Sequence, residues 1–145
     1  MGRHSREIEA ILGYAGRAAL IADGRLRAEE APDIVAIGVA KGVNLGVPCV
    51  AELADAALGL MRVETCVDQA DIEVDPRWIG DDYAVPTDAG TAAIEWAARR
   101  GGWLMDPTYS GKGLSGLLGL IDEERWDGDD QVVFIHSGGW PALFA

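Results

Sequence analysis

The sequence has few of the residues that build a metal site or a disulfide framework. It contains two cysteines and two histidines. Cys49 and Cys66 stand alone in apolar surroundings rather than in a paired Cys-x-x-Cys spacing, and His4 and His136 have no second ligand at helical or hairpin spacing. We therefore expect no metal ligation, and reduced thiols of the kind found in cytoplasmic proteins.

Long apolar runs and positive charge are also scarce. No uninterrupted apolar run approaches the roughly 20 residues that a membrane-spanning helix needs, and Met1–His4 is not followed by the apolar core of a signal peptide. With 12 Lys+Arg against 24 Asp+Glu, the formal net charge is -12, which hardly supplies the positive face that a nucleic acid requires. We expect neither a nucleic-acid nor a membrane partner, and a cytoplasmic location.

The sequence does have an alternation of helical and strand-like segments. Its 145 residues, of which 49% are hydrophobic, are enough for one domain with one core. Strands that alternate with helices are typical of parallel βαβ units, so we predict an α/β fold with three layers, a mostly parallel sheet with flanking helices. The predicted helices are residues 5–22, 48–60 (with Pro48 in the first turn), 88–100 and 111–123; the predicted strands are 33–40, 66–74, 103–105 and 132–135.

Two motifs rich in hydroxyl groups and glycine follow the last two predicted strands. The segment 106–113, Asp-Pro-Thr-Tyr-Ser-Gly-Lys-Gly, follows the first of them, and the segment 136–145, His-Ser-Gly-Gly-Trp-Pro-Ala-Leu-Phe-Ala, follows the second. Ligands of open α/β sheets bind at the carboxyl ends of strands. We therefore expect Tyr109, Ser110 and Ser137 to share the mouth of one cavity.

These motifs and their spacing resemble the C-terminal end of the pyridoxal-phosphate enzymes of the D-cysteine desulfhydrase and 1-aminocyclopropane-1-carboxylate deaminase family. The resemblance is clearest over residues 70–145, extends to 33–61, and is not found in 1–32. It implies a single, incomplete α/β domain, part of the large domain of a fold type II enzyme, with an unmatched helical region 1–32 and a family-like region 33–145. It also implies a pyridoxal phosphate cofactor and an amino-acid substrate. The family's Schiff-base lysine would then lie in a missing N-terminal half, so that half or a homodimer partner is expected.

The resemblance also assigns candidate site residues. Tyr109 and Tyr83 match two active-site tyrosines and would be catalytic, whereas Ser110, Ser137 and Gly138 would bind the cofactor. A phenol, with a reference pKa near 10, acts as an acid or base only if a cofactor or neighbouring charge lowers its pKa. Each tyrosine has a plainer alternative, which is packing under a sheet edge or a position in a loop without a role.

Three positions favour the desulfhydrase branch of the family over the deaminase branch. Ser110 stands where deaminases have glutamate, Ser137 where they have leucine, and Phe144 matches the desulfhydrase ending. The implied reaction is α,β-elimination on D-cysteine or a related D-amino acid, giving a keto acid, ammonia and sulfide. An inactive fragment or interaction module is the alternative, and deaminase activity a further one.

Ser110 and the two lysines of the chain have simpler interpretations. Ser110 could equally be the N-cap of the helix that follows it. Neither Lys41 nor Lys112 has the surroundings of the family's aldimine lysine, so a structural or electrostatic role is expected for Lys112.

Overall fold

The computed structural model of the chain describes residues 8–28, 31–39, 43–136 and 138. Over these residues it is a mixed α/β structure with a small parallel sheet of two strands and flanking helices, which confirms the predicted fold class. The elements in chain order are α1 (Ile8–Ala22), β1 (Val35–Ile37), α2 (Val43–Leu60), β2 (Glu73–Asp75), α3 (Asp88–Gly101) and α4 (Ser110–Asp122). Within the same ranges, no helix is both long enough and apolar enough to cross a membrane.

The chain divides into two compact units, and the first comprises residues 1–36 and 44–74. Its core is a cluster of buried side chains from α1, α2 and the segment that leads to β2: Tyr14, Ala15, Val50, Ala51, Ala54, Leu58, Val67 and Ile72. The Tyr14 hydroxyl donates to the Ile34 carbonyl at 2.8 Å and accepts from the Glu73 backbone N–H at 3.0 Å. These two hydrogen bonds link α1 to the residue before β1 and to the first residue of β2. Burial raises the pKa of Tyr14.

The second unit comprises residues 37–43 and 75–145, and α3 packs against α4 in it. Local signals fix both ends of α3. The Thr87 hydroxyl accepts from the Gly90 N–H at 3.0 Å at the start, and Gly102 adopts a left-handed φ of 65° at the end. The core between the two helices consists of Ala93, Ala97, Met105 and Leu114, with Ile94, Leu117, Leu118 and Phe134 packed against it.

Two of the predicted strands are wrong. Residues 103–105 and 132–135 form no strand in the structure. Trp103 and Leu104 are both 52% exposed and Val133 is 82% exposed, whereas a strand inside a parallel sheet is covered on both faces and bonded to neighbours. Among the described residues, nothing covers both faces of these segments and no strand pairs with them. Their apolar composition is therefore not enough to make them strands.

The start of α2 was also predicted wrongly. The helix begins at Val43, and Pro48 lies inside it rather than in its first turn. A proline within a helix removes one backbone bond and strains the preceding turn. Burial of Val50, Ala54 and Leu58 in the core offsets this cost. The predicted start of the first helix, Ser5, lies outside the described residues.

Candidate active site

Tyr109 lies at the N-terminus of α4, where a buried carboxylate fixes its backbone. Asp106 is 1% exposed and accepts from the backbone N–H groups of Thr108, Tyr109 and Ser110, each at 2.8 Å. Burial by itself would raise the pKa of Asp106, but the hydrogen bonds from the Ser110 hydroxyl and from these N–H groups lower it below the usual value. The carboxylate therefore stays charged and caps the first turn of α4.

The Ser110 hydroxyl is part of the same cap. It donates to Asp106 Oδ2 at 2.7 Å and accepts from the Asp106 N–H at 2.8 Å, and Ser110 is 8% exposed. The N-cap of α4 is Tyr109 rather than Ser110. The cofactor contact expected of Ser110 stays a prediction, and it would require this hydroxyl to leave Asp106.

The structure brings the two candidate catalytic tyrosines together. Tyr83 lies in the loop 76–87 between β2 and α3, and its hydroxyl is hydrogen-bonded to the Tyr109 hydroxyl. The two ring centroids are 5.9 Å apart and the ring planes are tilted by 58°. Tyr83 is 38% exposed and Tyr109 is partly exposed, so a molecule arriving from solvent can reach the pair.

Two groups of contacts hold the loop that carries Tyr83. At its start, Arg77 Nη2 bonds to Asp75 Oδ2 at 2.7 Å and to Glu123 Oε2 at 3.0 Å, and the Trp78 indole N–H donates to Asp75 Oδ2 at 3.0 Å. The side-chain hydrogen bonds from Arg77 lower the pKa of Asp75 to about 2. Further along the loop, Lys112 Nζ donates to the Ile79 carbonyl at 2.7 Å and to the Asp82 carbonyl at 3.2 Å.

The surroundings of Lys112 agree with the structural or electrostatic role that was expected of it. Its side chain is 0% exposed, and its ammonium group is bonded to the two loop carbonyls. Sequence reasoning missed these partners, because backbone carbonyls 30 and 33 residues away leave no pattern in the chain. Lys41 lies outside the described residues, so nothing tests its role.

The second motif is described only in part. Ser137 lies outside the described residues, so its convergence with Tyr109 stays a prediction. Gly138 has a φ of 143°, and no described group lies within 4 Å of the position that a Cβ would take there. His136 Nδ1 accepts from the Gly138 N–H at 3.4 Å, and His136 Nε2 contacts the Leu104 carbonyl at 2.9 Å. The end of segment 132–135 therefore lies beside segment 103–105, although neither segment is a strand. The cavity mouth that Tyr109, Ser110 and Ser137 were expected to share stays a prediction.

Comparison with known proteins gives the same relatives as the motifs. No family model matches the chain. The chain is 35% identical over 133 residues to D-cysteine desulfhydrases of Salmonella paratyphi C (strain RKS4594), Salmonella choleraesuis (strain SC-B67) and Salmonella typhi. The match covers 92% of this chain and 40% of each relative, so the chain spans well under half the length of these proteins.

The match is longer than the motifs indicated. At 133 residues it exceeds the segment 33–145, so it includes part of region 1–32, where no resemblance was found from the motifs. The resemblance itself is confirmed: the chain matches the C-terminal part of the D-cysteine desulfhydrases, which are fold type II pyridoxal-phosphate enzymes.

Proposed function

We propose that this chain is the tyrosine-bearing C-terminal part of a pyridoxal-phosphate-dependent lyase of the D-cysteine desulfhydrase kind. The reaction is α,β-elimination of sulfide from D-cysteine or a related D-amino acid, and addition of water to the product then gives a keto acid and ammonia. The hydrogen bond between the Tyr83 and Tyr109 hydroxyls carries the proposal. The similarity to proteins named D-cysteine desulfhydrase supports it. The proposed setting is the cytoplasm, since Cys49 and Cys66 are thiols rather than a disulfide.

The tyrosine pair suits the proton transfers of an elimination. Loss of sulfide from an amino acid requires a group that takes the proton from Cα and a group that gives a proton to the departing sulfur. Two phenols in one hydrogen bond can hold a proton on either oxygen, because each hydroxyl is both a donor and an acceptor. In this proposal, substrate binds beside the exposed edge of Tyr83, and the pair delivers a proton to the leaving sulfur.

The described residues do not by themselves make a pyridoxal phosphate site. The Ser110 hydroxyl is engaged with Asp106, and the ammonium of Lys112 is engaged with two carbonyls. Ser137, which was also expected to bind the cofactor, lies outside the described residues. At Gly138 no described group lies within 4 Å of the position that a Cβ would take. We therefore propose that the lysine that carries the cofactor comes from a separate N-terminal half, or that a homodimer partner completes the site.

Serine at positions 110 and 137 supports elimination rather than deamination of a cyclopropane. In the deaminase branch, a glutamate at position 110 would keep the cofactor nitrogen protonated and strengthen the cofactor as an electron sink. A serine cannot hold that proton well. Expulsion of a thiolate needs a weaker sink, because a thiol of pKa about 8.5 is a good leaving group.

A reconstitution assay tests the proposal. The purified chain is mixed with the N-terminal part of the Salmonella typhi enzyme that lies outside the match, together with pyridoxal phosphate and D-cysteine, and sulfide release is measured. Tyr109→Phe and Tyr83→Phe should each lower kcat roughly 10²- to 10⁴-fold, the usual contribution of a positioned acid or base. Tyr14→Phe is the matched control, since it removes the one other phenol of the chain and should leave kcat unchanged.

Three results would overturn the proposal. If neither Tyr83→Phe nor Tyr109→Phe changes the rate of sulfide release, the tyrosine pair takes no part in the reaction. A stable complex of the two parts that releases no sulfide would favour the inactive interaction module. The internal engagement of Ser110 and Lys112 already favours that alternative for the chain on its own. Release of ammonia from 1-aminocyclopropane-1-carboxylate in place of sulfide from D-cysteine would point to the deaminase.

A further inference from the structure

A buried lysine contacts the loop that carries Tyr83 and has no part in the proposed reaction. Lys112 is 0% exposed, and its ammonium bonds to the carbonyls of Ile79 and Asp82. We propose that Lys112 is a positioning residue, which holds the loop 79–83 so that the Tyr83 hydroxyl meets the Tyr109 hydroxyl. This inference rests on the proposed role of the pair and names the residue on which the geometry of the pair depends.

The contacts of Lys112 fix the peptide that leads into Tyr83. The Asp82 carbonyl accepts from Lys112 Nζ at 3.2 Å, and the Tyr83 N–H donates to Asp82 Oδ1 at 2.8 Å. Both polar atoms of the peptide unit between Asp82 and Tyr83 therefore have partners. Because the direction of a side chain follows from its backbone, this orientation of the peptide also sets the direction of Tyr83.

Lys112 and Tyr109 belong to the same rigid element. Tyr109 is the N-cap of α4 and Lys112 lies in its first turn, and the Gly113 N–H donates to the Tyr109 carbonyl at 2.8 Å. The tyrosine on the helix and the lysine that holds the other tyrosine thus move together. Lys112 transmits the position of α4 to the loop, and with it the separation of the two hydroxyls.

The loop needs such a contact, because its own backbone does not favour this shape. Residues 80–86 are all exposed and lie outside helices and strands. Gly80 has a φ of 74°, and Ala84, directly after Tyr83, has a φ of 60°. Residues with a Cβ rarely adopt this left-handed region and stay there only where surrounding contacts hold them. The Arg77 contacts hold the start of the loop, whereas Lys112 reaches the part next to Tyr83.

An apolar side chain would fill the site of Lys112 without placing a charge there. A buried ammonium is costly unless its N–H groups are bonded, and the stem of Lys112 already packs like an aliphatic residue beside Gly90. What the lysine adds is the pair of bonds to the loop. A role in positioning the loop explains why a charged residue occupies this buried place.

The test is a nuclear magnetic resonance measurement on the chain itself, with ring-labelled tyrosine. At 5.9 Å between ring centroids, the ring protons of Tyr83 and Tyr109 should give a cross-peak in the wild type. Lys112→Met keeps the stem and removes the donors, so the cross-peak should be lost, while Tyr14, in the first unit, keeps its shifts. Lys112→Arg, which keeps donors at the end of the stem, should restore it.

The control variant is Ser115→Ala, which removes another buried hydrogen bond of α4, from the Ser115 hydroxyl to the Lys112 carbonyl at 2.8 Å. It should lower the melting temperature and leave the cross-peak in place. A cross-peak of wild-type strength in Lys112→Met, no restoration in Lys112→Arg, or equal loss in Ser115→Ala would each overturn the inference. If Lys112→Met does not fold, Lys112→Gln replaces it, since its shorter stem cannot reach both carbonyls and the same loss is expected.

This readout separates the inference from the proposed function. The cross-peak needs neither cofactor nor substrate, so its loss in Lys112→Met supports the positioning role even if reconstitution gives no sulfide. Conversely, the reconstituted enzyme could be active while the tyrosine cross-peak persists in Lys112→Met. That result would support the proposed lyase function and contradict the positioning role of Lys112.

Discussion

Single buried charges hold the candidate site together. Asp106 fixes the start of α4 through four accepted hydrogen bonds, and Lys112 fixes the loop that faces it. Both side chains are almost fully buried, where a charge survives only if its partners are in place. The tyrosine contact therefore depends on buried residues that are not members of the pair.

Asp75 makes the stability of the second unit depend on pH in the acid range. Its carboxylate bonds to Arg77 and to the Trp78 indole, and the bonds from Arg77 lower its pKa to about 2. A carboxylate whose folded pKa lies below the unfolded value near 3.9 stabilises the fold above that value. This contribution is lost as the pH falls from about 4 through about 2.

We therefore expect Asp75→Asn to be less stable than the wild type at pH 7 and to lose less stability between pH 4 and pH 2. Urea unfolding at several pH values measures both effects. Glu52→Gln is the control, because it removes an exposed carboxylate of α2 and should follow the wild-type curve. Parallel curves for Asp75→Asn and the wild type below pH 4 would contradict the assignment.

The family resemblance singled out Tyr83 and Tyr109 as candidate catalytic residues, a role that stays a prediction. It predicted neither the contact between their hydroxyls nor the residues that hold them. An Asp-Pro pair followed by hydroxyl residues, at 106–110, is a recognised signal for a turn capped by its own side chain and could have identified Asp106. Lys112 had no such signal, since its partners are backbone atoms of a distant loop.

At the scale of the helices, prediction succeeded where the signals were local. Both ends of α3 follow from Thr87 and from the Gly101–Gly102 pair, which act within a few residues of the helix. The start of α2 could not be predicted in this way, because burial of its apolar face in the core outweighs the local effect of Pro48. The strand predictions for segments 103–105 and 132–135 were wrong for a similar reason. Whether an apolar segment becomes a strand depends on a neighbouring strand that can pair with it, and this neighbour cannot be read from the segment itself.

The glycines of α4 differ in how closely other groups approach them. A Cβ at Gly119 would overlap the ring of Trp78, whereas a Cβ at Gly113 would lie 3.7 Å from Phe134, an ordinary contact. The Trp78 ring cannot easily withdraw, because its indole N–H is bonded to Asp75 at 3.0 Å. Gly119 is therefore required for the packing of the loop 76–87 on α4.

We expect Gly119→Ala to destabilise the chain by roughly 1–3 kcal/mol, the usual cost of overpacking. Gly113→Ala should be neutral, or stabilise by up to about 1 kcal/mol, because alanine is the better helix former. Chemical denaturation of the two variants, which add one methyl group each to the same helix, measures the difference. Equal effects of both would show that Trp78 does not rest against Gly119.

At the scale of the whole molecule, the second unit leaves apolar side chains in solvent. Val133 is 82% exposed and Ile135 is 67% exposed, and Trp103 and Leu104 are both 52% exposed. Phe134, between the first two, packs against the core of α3 and α4. One side of segment 132–135 is thus covered and the other is open, which is typical of surfaces that associate.

The net charge of -12 opposes this association through repulsion between copies. The Debye length is about 30 Å at 0.01 M salt and about 8 Å at 0.15 M salt, so salt weakens the repulsion and leaves the apolar attraction in place. We expect the purified chain to form oligomers or aggregates that grow with protein concentration and with salt. Light scattering after size-exclusion chromatography measures this.

Val133→Glu and Ile135→Glu should reduce the association, because each replaces exposed apolar surface with charge. Gln131→Glu is the matched control: it adds the same charge at an exposed neighbour and removes no apolar group. If charge alone governs association, the three variants will behave alike. If the apolar face governs association, Gln131→Glu will associate nearly as the wild type does, while the other two variants stay dispersed. A wild-type chain that remains monomeric at high salt would contradict the role of this face.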